Sequence, residues 1–241
     1  MVRFVSLIVL LALSYHPSFV RGQQKIKGSG YVLTQERETD YFNSITVSNR
    51  ISVYIVQGEL QPITVEADNN LFPYVKTVVR NRTLKIYISD TVDIVRFADM
   101  NVLISMPELS TLTARQSSYI DGFSQHWKTD QVTLRAGSDS RIKLATESNT
   151  IIVDGKSSSL IELKGKTNQL TATLKTGTKL IARELKTNDA TLHLGTDSKA
   201  EVRVREQIAY DLSGYSRLII KGNPRVTQSE VNSGSKVIRD K

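Results

Sequence analysis

Few residues of this chain could carry metal or acid–base chemistry. Its 241 residues include three histidines and no cysteine, which excludes disulfides, thiolate metal sites and cysteine nucleophiles. Only His126 and His193 lie beyond the first 22 residues, and no His-x-x-x-His or Glu-x-x-His pair occurs. A zinc site needs roughly three to four ligands with matched spacing. We therefore expect no metal, no cofactor and no catalytic residue, and His193, between Leu192 and Leu194, is predicted to point outward.

One cluster of aromatic and basic residues suggests ligand binding. Three aromatic residues occur within one short segment: Tyr119, Phe123 and Trp127. Trp127 is the only tryptophan of the chain, and Lys128 follows it directly. Aromatic rings with polar neighbours are typical of sugar-binding surfaces. The same rings could instead pack over the end of the fold or between its halves. Both interpretations stay open, and Tyr119, Phe123, Trp127 and Lys128 are the candidate ligand-binding residues.

Six hydroxyl residues recur at a nearly constant interval in the second half of the chain. Their spacings are 22, 19, 19, 20 and 18 residues, and self-similarity at a fixed period is typical of repeat proteins. A catalytic serine is normally single and needs a base beside it. We therefore predict a structural ladder, in which the hydroxyls bond turn amides or one another where the chain bends. We call these residues the anchors: Ser118, Ser140, Ser159, Thr178, Ser198 and Ser216.

Apolar residues keep fixed distances from the anchors. Positions two and four after each anchor, and six and eight before it, hold almost only apolar or small residues. Around Ser140 these are Ile142, Leu144, Leu134 and Val132. Even offsets place side chains on one face of a strand. Each repeat is therefore predicted to be a strand, a tight corner and a second strand, and equivalent strands must stack to bury their apolar faces. Sequential hairpins are the alternative, but they do not require columns at a fixed period.

The whole pattern predicts an all-β protein, a single-stranded parallel β-helix (β-solenoid) with coils of about 20 residues. The first half alternates as well, since Ile51, Val53 and Ile55 are separated by Ser52 and Tyr54. The only candidate helical turn covers residues 68–75 and is limited by a proline. Five glycines near the corners favour turns with positive φ: Gly137, Gly155, Gly177, Gly195 and Gly214.

Aspartates also recur along the predicted coils, which raises the possibility of glycoside chemistry. Glycosidases use two carboxylates about 5 to 10 Å apart. Asp139 and Asp197 each precede an anchor by one residue. They are three coils apart, which corresponds to about 14 Å at about 4.8 Å per coil. We therefore interpret them, together with Asp154, Asp189 and Asp211, as turn or surface residues.

The N-terminal segment, residues 1–22, reads as a secretory signal peptide. Arg3 precedes an uncharged run over residues 4–13 in which only Ser6 is polar, and Val20 and Gly22 are small enough for a cleavage site. A membrane anchor is the alternative, but it needs about 18 or more apolar residues. We expect export to the periplasm, the outer membrane surface or the extracellular space. The mature chain, residues 23–241, is expected to be one domain without a transmembrane span, with repeats clearest over 110–226.

The mature chain carries 30 basic and 24 acidic residues, because the two arginines of residues 1–22 are removed from the total of 32. No block of five like charges occurs, and an exported chain of this kind is not expected to bind nucleic acid. The charge predicts either an ordinary solvated β surface or a weak attraction to anionic surfaces and polysaccharides.

Four segments together resemble the head GIN domain family, which is described as autotransporter adhesins and is common in Bacteroidetes. They are "GSGYVLTQERETDYFNSITVSNRISVYIVQG" (28–58), "ITVEADNNLFPYVKTVVRNRTLKIYI" (63–88), "ISMPELSTLTA" (104–114) and "SGYSRLIIKGNPRV" (213–226). The resemblance covers nearly the whole mature chain. It implies a right-handed single-stranded β-helix and an exported bacterial protein, and it supplies no catalytic residues.

Three functions are compatible with the sequence. The first is an exported, non-enzymatic binding or surface protein that presents a β-solenoid face to a glycan or envelope component. The second is a β-helical carbohydrate-active enzyme, for which the columns offer no cluster of carboxylates. The third is a structural envelope protein that assembles through the solenoid ends, so a homo-oligomer is possible.

Overall fold

The structure of the chain, a computed structural model, describes residues 23–240. Within them lie eighteen strands and one 3-10 helix, Asn69–Leu71. The strands are β1 (Gln24–Lys27), β2 (Val32–Arg37), β3 (Ser44–Val47), β4 (Ser52–Gln57), β5 (Ile63–Asp68), β6 (Val75–Arg80), β7 (Thr83–Ile88), β8 (Val92–Arg96), β9 (Met100–Met106), β10 (Thr111–Ala114), β11 (Tyr119–Ala136), β12 (Arg141–Gly155), β13 (Leu160–Leu174), β14 (Lys179–Leu194), β15 (Lys199–Leu212), β16 (Arg217–Lys221), β17 (Arg225–Val231) and β18 (Lys236–Asp240).

Five long strands, β11 to β15, each run along one coil of a parallel β-solenoid. Every pairing among β10 to β18 is parallel, and equivalent positions face each other, as Ile142 faces Ile161. The coils hold about 19 residues and make about seven turns. The predicted stacked solenoid is confirmed, and the alternative of sequential hairpins is wrong for this half of the chain.

Each coil contributes to two sheets. We call the one built from residues that follow the anchors the front sheet, and the one built from residues that precede them the back sheet. The front sheet continues from the coils through β4, β9, β5 and β2 at one end and ends with β16 and β18 at the other. The back sheet continues through β10, β3, β7 and β6 and ends with β17.

The predicted apolar columns form the shared core between the sheets. All six residues two positions after the anchors are fully buried, including Ile142, Ile161 and Leu218. Two members of the columns depart from this pattern. Ser110 is exposed because it lies in the link before β10 begins, and Tyr210 is half-buried beside Ser229 of the last back strand.

The N-terminal coils are not stacked in sequence order. The coil made by β7 and β9 lies outside the coil made by β3 and β4, because β3 pairs with both β7 and β10, and β4 with both β9 and β11. The last strands at this end are antiparallel: β6 pairs with β7, and β5 and β2 lie beyond β9. Asp68 is buried there and accepts hydrogen bonds from the backbone N–H groups of Gly30 and Ala98.

The corner before each anchor uses left-handed backbone, but mostly not at glycine. Of the five predicted glycines only Gly177 and Gly214 have positive φ, so the prediction is wrong for Gly137, Gly155 and Gly195. Serine, aspartate, threonine and glutamine take most of these positions, as at Ser157 and Ser158 with φ of 53° and 59°. Gly155 serves another purpose, because a Cβ there would lie 2.4 Å from Cγ2 of Thr178.

The predicted signal peptide, residues 1–22, lies outside the described residues. Within residues 23–240, no helix has the length and apolar character needed to cross a membrane.

Candidate functional site

The anchor residues are buried, and five of the six anchor hydroxyls bond to backbone groups, the exception being Ser118. Ser140 Oγ donates to the carbonyl oxygens of Ala114 and Gly137 and accepts the N–H of Gly137. Ser159 and Ser216 likewise reach carbonyls more than twenty residues back in the chain, at Ala136 and Leu194. These oxygens therefore tie one coil to the coil before it.

The titratable residues that could form a metal or catalytic centre are dispersed. Within residues 23–240, no group of three or more His, Asp or Glu side chains is placed to hold a metal ion. His126 is exposed near the bend of β11, whereas His193 is exposed on the back sheet, where its Nδ1 lies 3.9 Å from a carboxylate oxygen of Asp211.

The four candidate ligand-binding residues separate into three environments. Tyr119 and Phe123 lie on the outer surface of the front sheet, which we call the front face, and Asp121 joins them. This aspartate accepts the Tyr119 hydroxyl and the backbone N–H of Phe123. Trp127 is 0% exposed and part of the core, so its ring contacts other core side chains and not solvent. Lys128 lies beyond a register shift in β11, beside Glu147 of the next coil and outside the front face.

A tyrosine from a distant segment completes the aromatic end of the front face. The ring of Tyr54, 42% exposed, meets the ring of Tyr119 edge-on at 6.2 Å between centroids. Leu103 lies opposite Tyr54 on the neighbouring strand and is 47% exposed. Burial and the hydrogen bond to Asp121 raise the pKa of Tyr119 above its usual range, so its hydroxyl stays protonated. We call Tyr54, Leu103, Tyr119 and Phe123 the aromatic end.

Three rows of side chains run from the aromatic end along the front face, the first two with one residue per coil. Strands are about 4.8 Å apart, so neighbours in a row are within reach of one another. The first row is Tyr119, Arg141, Leu160, Lys179, Lys199, Arg217 and Lys236. The second is Asp121, Lys143, Glu162, Ile181, Glu201, Ile219 and Ile238. The third row follows the outer margin of the face less regularly, because β12 contributes only the buried Ala145 there and the register shifts in β13–β14 and β14–β15. Its members are Phe123, Lys164, Arg183, Arg203, Lys221 and Asp240.

These rows hold the net positive charge of the protein. They contain ten basic and four acidic residues. Residues 23–240 contain 29 basic residues, since Arg3, Arg21 and Lys241 lie outside them, and 24 acidic residues. The rest of the described chain therefore has 19 basic and 20 acidic residues and is close to neutral. The front face is a cationic surface on an otherwise balanced molecule.

Three of the four acidic residues on this face are paired with cations, whereas several of the cations have no carboxylate partner. Glu201 lies 2.6 Å from Lys199 Nζ and 2.5 Å from Arg183 Nε. The Lys199 hydrogen bond, with support from Arg183, holds the pKa of Glu201 below its usual range. Among the described residues, no carboxylate lies within 4.0 Å of the cationic groups of Arg141, Lys179, Arg217 or Lys236, which are therefore available to an anion.

Lys164 and Lys143 connect the basic rows to the aromatic end. Their Nζ atoms lie 4.4 Å and 5.7 Å from the ring centroid of Phe123, within cation–π range. The coil between those of Phe123 and Lys164 has Ala145 at the equivalent position. This alanine is buried, so the Phe123 ring stays accessible to Lys164.

An asparagine ladder follows the opposite bend of the coils. Asn168 donates to Asn149 at 2.8 Å, and Asn188 donates to Asn168 at 3.1 Å. The spacings of 19 and 20 residues match the anchors and could have revealed this ladder from sequence. Since the amides satisfy one another, the adjoining shallow groove of about 510 Å³ offers less recognition chemistry than the front face.

A cavity of about 570 Å³ lies at the N-terminal end beneath β8. Its arginine, Arg50, already donates to the Ile94 carbonyl and stacks on Phe97 at 5.2 Å. The cation best placed to bind a ligand in this cavity is therefore occupied.

The fold and this surface define a parallel β-solenoid with one cationic face. The chain belongs to the family described as "putative auto-transporter adhesin, head GIN domain", whose model matches residues 41–224. No curated protein matches the chain.

Solved structures share the fold at low sequence identity. A putative adhesin of Bacteroides fragilis superposes with a TM-score of 0.81 at 17% identity, over 89% of this chain and 99% of that one. One from Parabacteroides merdae gives 0.74 at 17%, over 90% and 100%. A protein of Parabacteroides distasonis described as a putative lipid binding protein gives 0.62 at 18%, over 90% and 100%.

Proposed function

We propose that this protein is an exported, non-enzymatic binding protein of the cell envelope, and that its front face holds an anionic glycan. The concentration of net positive charge on that one face carries the proposal. Membership of an adhesin family supports a binding role. Export depends on residues 1–22, which have the features of a signal peptide.

The geometry of the rows suits a polymer with repeated negative groups. Lys179, Lys199 and Arg217 occupy the same position in three successive coils, at strand spacing. Like charges facing one another across neighbouring strands are unfavourable. An anionic chain lying along the solenoid axis would relieve that repulsion and gain charge-assisted hydrogen bonds from several coils at once.

The aromatic end adds a feature that a simple counterion site lacks. Exposed rings such as Tyr54 present apolar faces with polar neighbours, which is the pairing that sugar rings require. Lys164 beside Phe123 places a cation next to a ring face. The front face therefore favours a glycan carrying sulfate, phosphate or carboxylate groups over a neutral glycan.

Binding to defined polymers tests the proposal. Dextran sulfate and neutral dextran, of matched length, are titrated against the mature chain at low and physiological salt. We expect binding to dextran sulfate that weakens as salt rises, because salt screens exposed charges, and little binding to dextran. Equal binding to both polymers, or to neither, would contradict the proposal.

Two further arms separate other functions. Vesicles with and without anionic phosphatidylglycerol test for a lipid surface, prompted by the relative described as lipid binding. Binding to these vesicles but not to dextran sulfate would mean that the ligand of the front face is a membrane and not a glycan. Release of reducing or unsaturated sugar ends from carboxylated polysaccharides would identify an enzyme instead. Protease shaving of intact cells, with a periplasmic marker as control, tests whether the front face reaches the exterior.

A further inference from the structure

The free cations of the first row occur on every second coil. Arg141, Lys179 and Arg217 follow one another at intervals of 38 residues, which is two coils, and no carboxylate of a described residue lies within 4.0 Å of their cationic groups. The residues between them in the row are Leu160 and Lys199. Leu160 has no charge, and the Lys199 ammonium lies 2.6 Å from a carboxylate oxygen. The cations that can meet an anion are therefore two strand spacings apart, about 10 Å at about 4.8 Å per strand.

The second row alternates in step with the first. Its two acidic residues in this region, Glu162 and Glu201, follow Leu160 and Lys199 by two residues and lie on the same coils. We call these two the intervening coils. The coils with a free cation carry other residues at that position: Lys143, Ile181 and Ile219. Free cations and carboxylates therefore alternate along the solenoid axis.

Strand pairing alone does not explain this order. Opposite charges that face each other across strands stabilise a sheet, and Lys143 does lie 3.7 Å from Glu162. Ile181, however, lies between Glu162 and Glu201. The three free cations face only uncharged or like-charged neighbours in their own row. A surface arranged only for sheet stability would instead place a carboxylate beside each of them.

We propose that the front face is specific for a linear glycan in which acidic and neutral sugars alternate. This inference rests on the proposed function and names the class of its ligand. One sugar of an extended glycan has about the length of one strand spacing, so a two-sugar repeat matches two coils. The acidic sugars then lie over Arg141, Lys179 and Arg217, which can donate charge-assisted hydrogen bonds to them. The neutral sugars lie over Leu160 and Lys199.

The carboxylates of the intervening coils act against a different class of polymer. A glycan with a carboxylate on every sugar would place an anionic group over each intervening coil. There Leu160 provides no cation, and Glu162 and Glu201 repel the anion. Repulsion of a competing ligand is a common source of specificity. The hydroxyl groups of a neutral sugar can instead donate to the lone pairs that these carboxylates retain.

The alternation covers the five coils from β12 to β16. Strand β18 does not continue it, because Lys236 follows Arg217 directly in the first row. The third row lies four residues further along the strands, about 13 Å at about 3.3 Å per residue. A single glycan chain that follows the first row therefore lies apart from the third. The alternating surface has room for about five sugars at one sugar per coil.

Two polymers of matched length, hyaluronate and polygalacturonate, test the inference when they are titrated against the mature chain at low salt without calcium. Hyaluronate has one carboxylate for every two sugars, and polygalacturonate has one on every sugar. We expect hyaluronate to bind more tightly by about threefold or more, although it carries half the charge per sugar. A surface that responds to charge alone would prefer polygalacturonate. Equal or tighter binding of polygalacturonate would therefore overturn the inference.

Dextran sulfate in the same experiment separates this inference from the proposed function. Binding of dextran sulfate without binding of hyaluronate would overturn the inference and leave the proposed function standing. If none of the three polymers binds, the proposed function fails, and the inference fails with it.

A cation added to an intervening coil should change the preference. Leu160→Lys supplies the cation that its coil lacks, so it should strengthen the binding of polygalacturonate by about threefold or more and leave that of hyaluronate within about twofold. Thr171→Lys adds the same charge to the outer surface of the back sheet and is the control, which should change neither. An equal gain for both polymers from Leu160→Lys would show that the face responds only to total charge and would overturn the inference.

Removal of the two carboxylates tests their role directly. The double variant Glu162→Gln and Glu201→Gln should reduce the preference for hyaluronate by about threefold or more, because polygalacturonate no longer meets repulsion on the intervening coils. Glu184→Gln with Glu206→Gln removes two exposed carboxylates outside the first two rows and should keep the preference. A preference that survives the loss of Glu162 and Glu201 would contradict the role assigned to them.

Discussion

Lys164 lies over the ring of Phe123, with its Nζ 4.4 Å from the ring centroid, although the two residues belong to coils two turns apart. This contact joins the aromatic end of the front face to its basic rows. It also shows that the front face is built from several coils, so no short sequence motif could contain it.

The Lys164–Phe123 contact should appear as a coupling free energy. A double-mutant cycle with Phe123→Leu and Lys164→Met, followed by urea unfolding, should give about 0.5–1 kcal/mol, the range for cation–π pairs at exposed sites. Leucine and methionine keep apolar bulk, so the cycle isolates the charge–ring interaction. A coupling of zero would mean that the two side chains are neighbours without interacting.

The stacked core predicts opposite outcomes for two adjacent residues. Ile161 is 0% exposed and faces Ile142 and Leu180 in the neighbouring coils, whereas Leu160 points to the front face. Ile161→Ala should lower the free energy of unfolding by about 2–5 kcal/mol, and Leu160→Ala by about 1 kcal/mol. Urea denaturation followed by circular dichroism measures both. Equal losses would contradict the assigned faces of β13.

The corners predict a difference between two glycines that the sequence treats alike. Gly177 has φ of 71°, a conformation that alanine adopts only with strain, so Gly177→Ala should destabilise the protein by about 1–2 kcal/mol. An added Cβ would have room, because the nearest atom is 3.4 Å away. Gly195 has no positive φ, and a Cβ there would meet only the Leu174 carbonyl at 3.6 Å. Thermal unfolding should therefore show little change or a small gain for Gly195→Ala. A reversed order would show that the corner conformations are wrongly assigned.

The Glu201 ion pairs predict a pH dependence of stability. Lys199 and Arg183 hold the pKa of Glu201 below its ordinary value of 4.5 in the folded protein. The ionised group therefore stabilises the fold above that value, and this contribution is lost as the pH falls through the lower folded pKa. Glu201→Gln should lower the urea midpoint at neutral pH, and the difference from wild type should shrink on acidification. Glu184→Gln, an exposed neighbour in the preceding coil, is the control. A difference that stays constant with pH would contradict this origin.

The sequence predicts the solenoid well because each coil repeats the same alternation at nearly the same interval. Ile142, Ile161 and Leu218 are buried as their spacing from the anchors requires. Ser110 is exposed, unlike the other residues of its column, because strand β10 begins one residue later. Glycine content was a poor guide to the corners, since serine and aspartate also adopt positive φ there.

The site was harder to predict because it depends on register between distant segments. Tyr54 meets Tyr119 only because β4 pairs with the start of β11, a relationship that the local sequence does not contain. The sequence groups Trp127 with Tyr119 and Phe123 by their proximity along the chain, and it leaves open whether these rings bind a ligand or pack. The register shift between Gly122 and Trp127 turns the chain at that point, so the tryptophan enters the core and Lys128 leaves the face.

The cationic front face is tested most directly by two triple variants with the same change in net charge. Arg141→Gln, Lys179→Gln and Arg217→Gln remove three cations of the first row. Lys85→Gln, Lys156→Gln and Lys175→Gln remove three exposed cations elsewhere. If the face binds an anionic glycan, the first variant loses at least tenfold in affinity for dextran sulfate and shows a shallower salt dependence, while the second stays within about twofold of wild type. Equal losses in both variants would show that only the overall charge matters and would contradict a binding site on the front face.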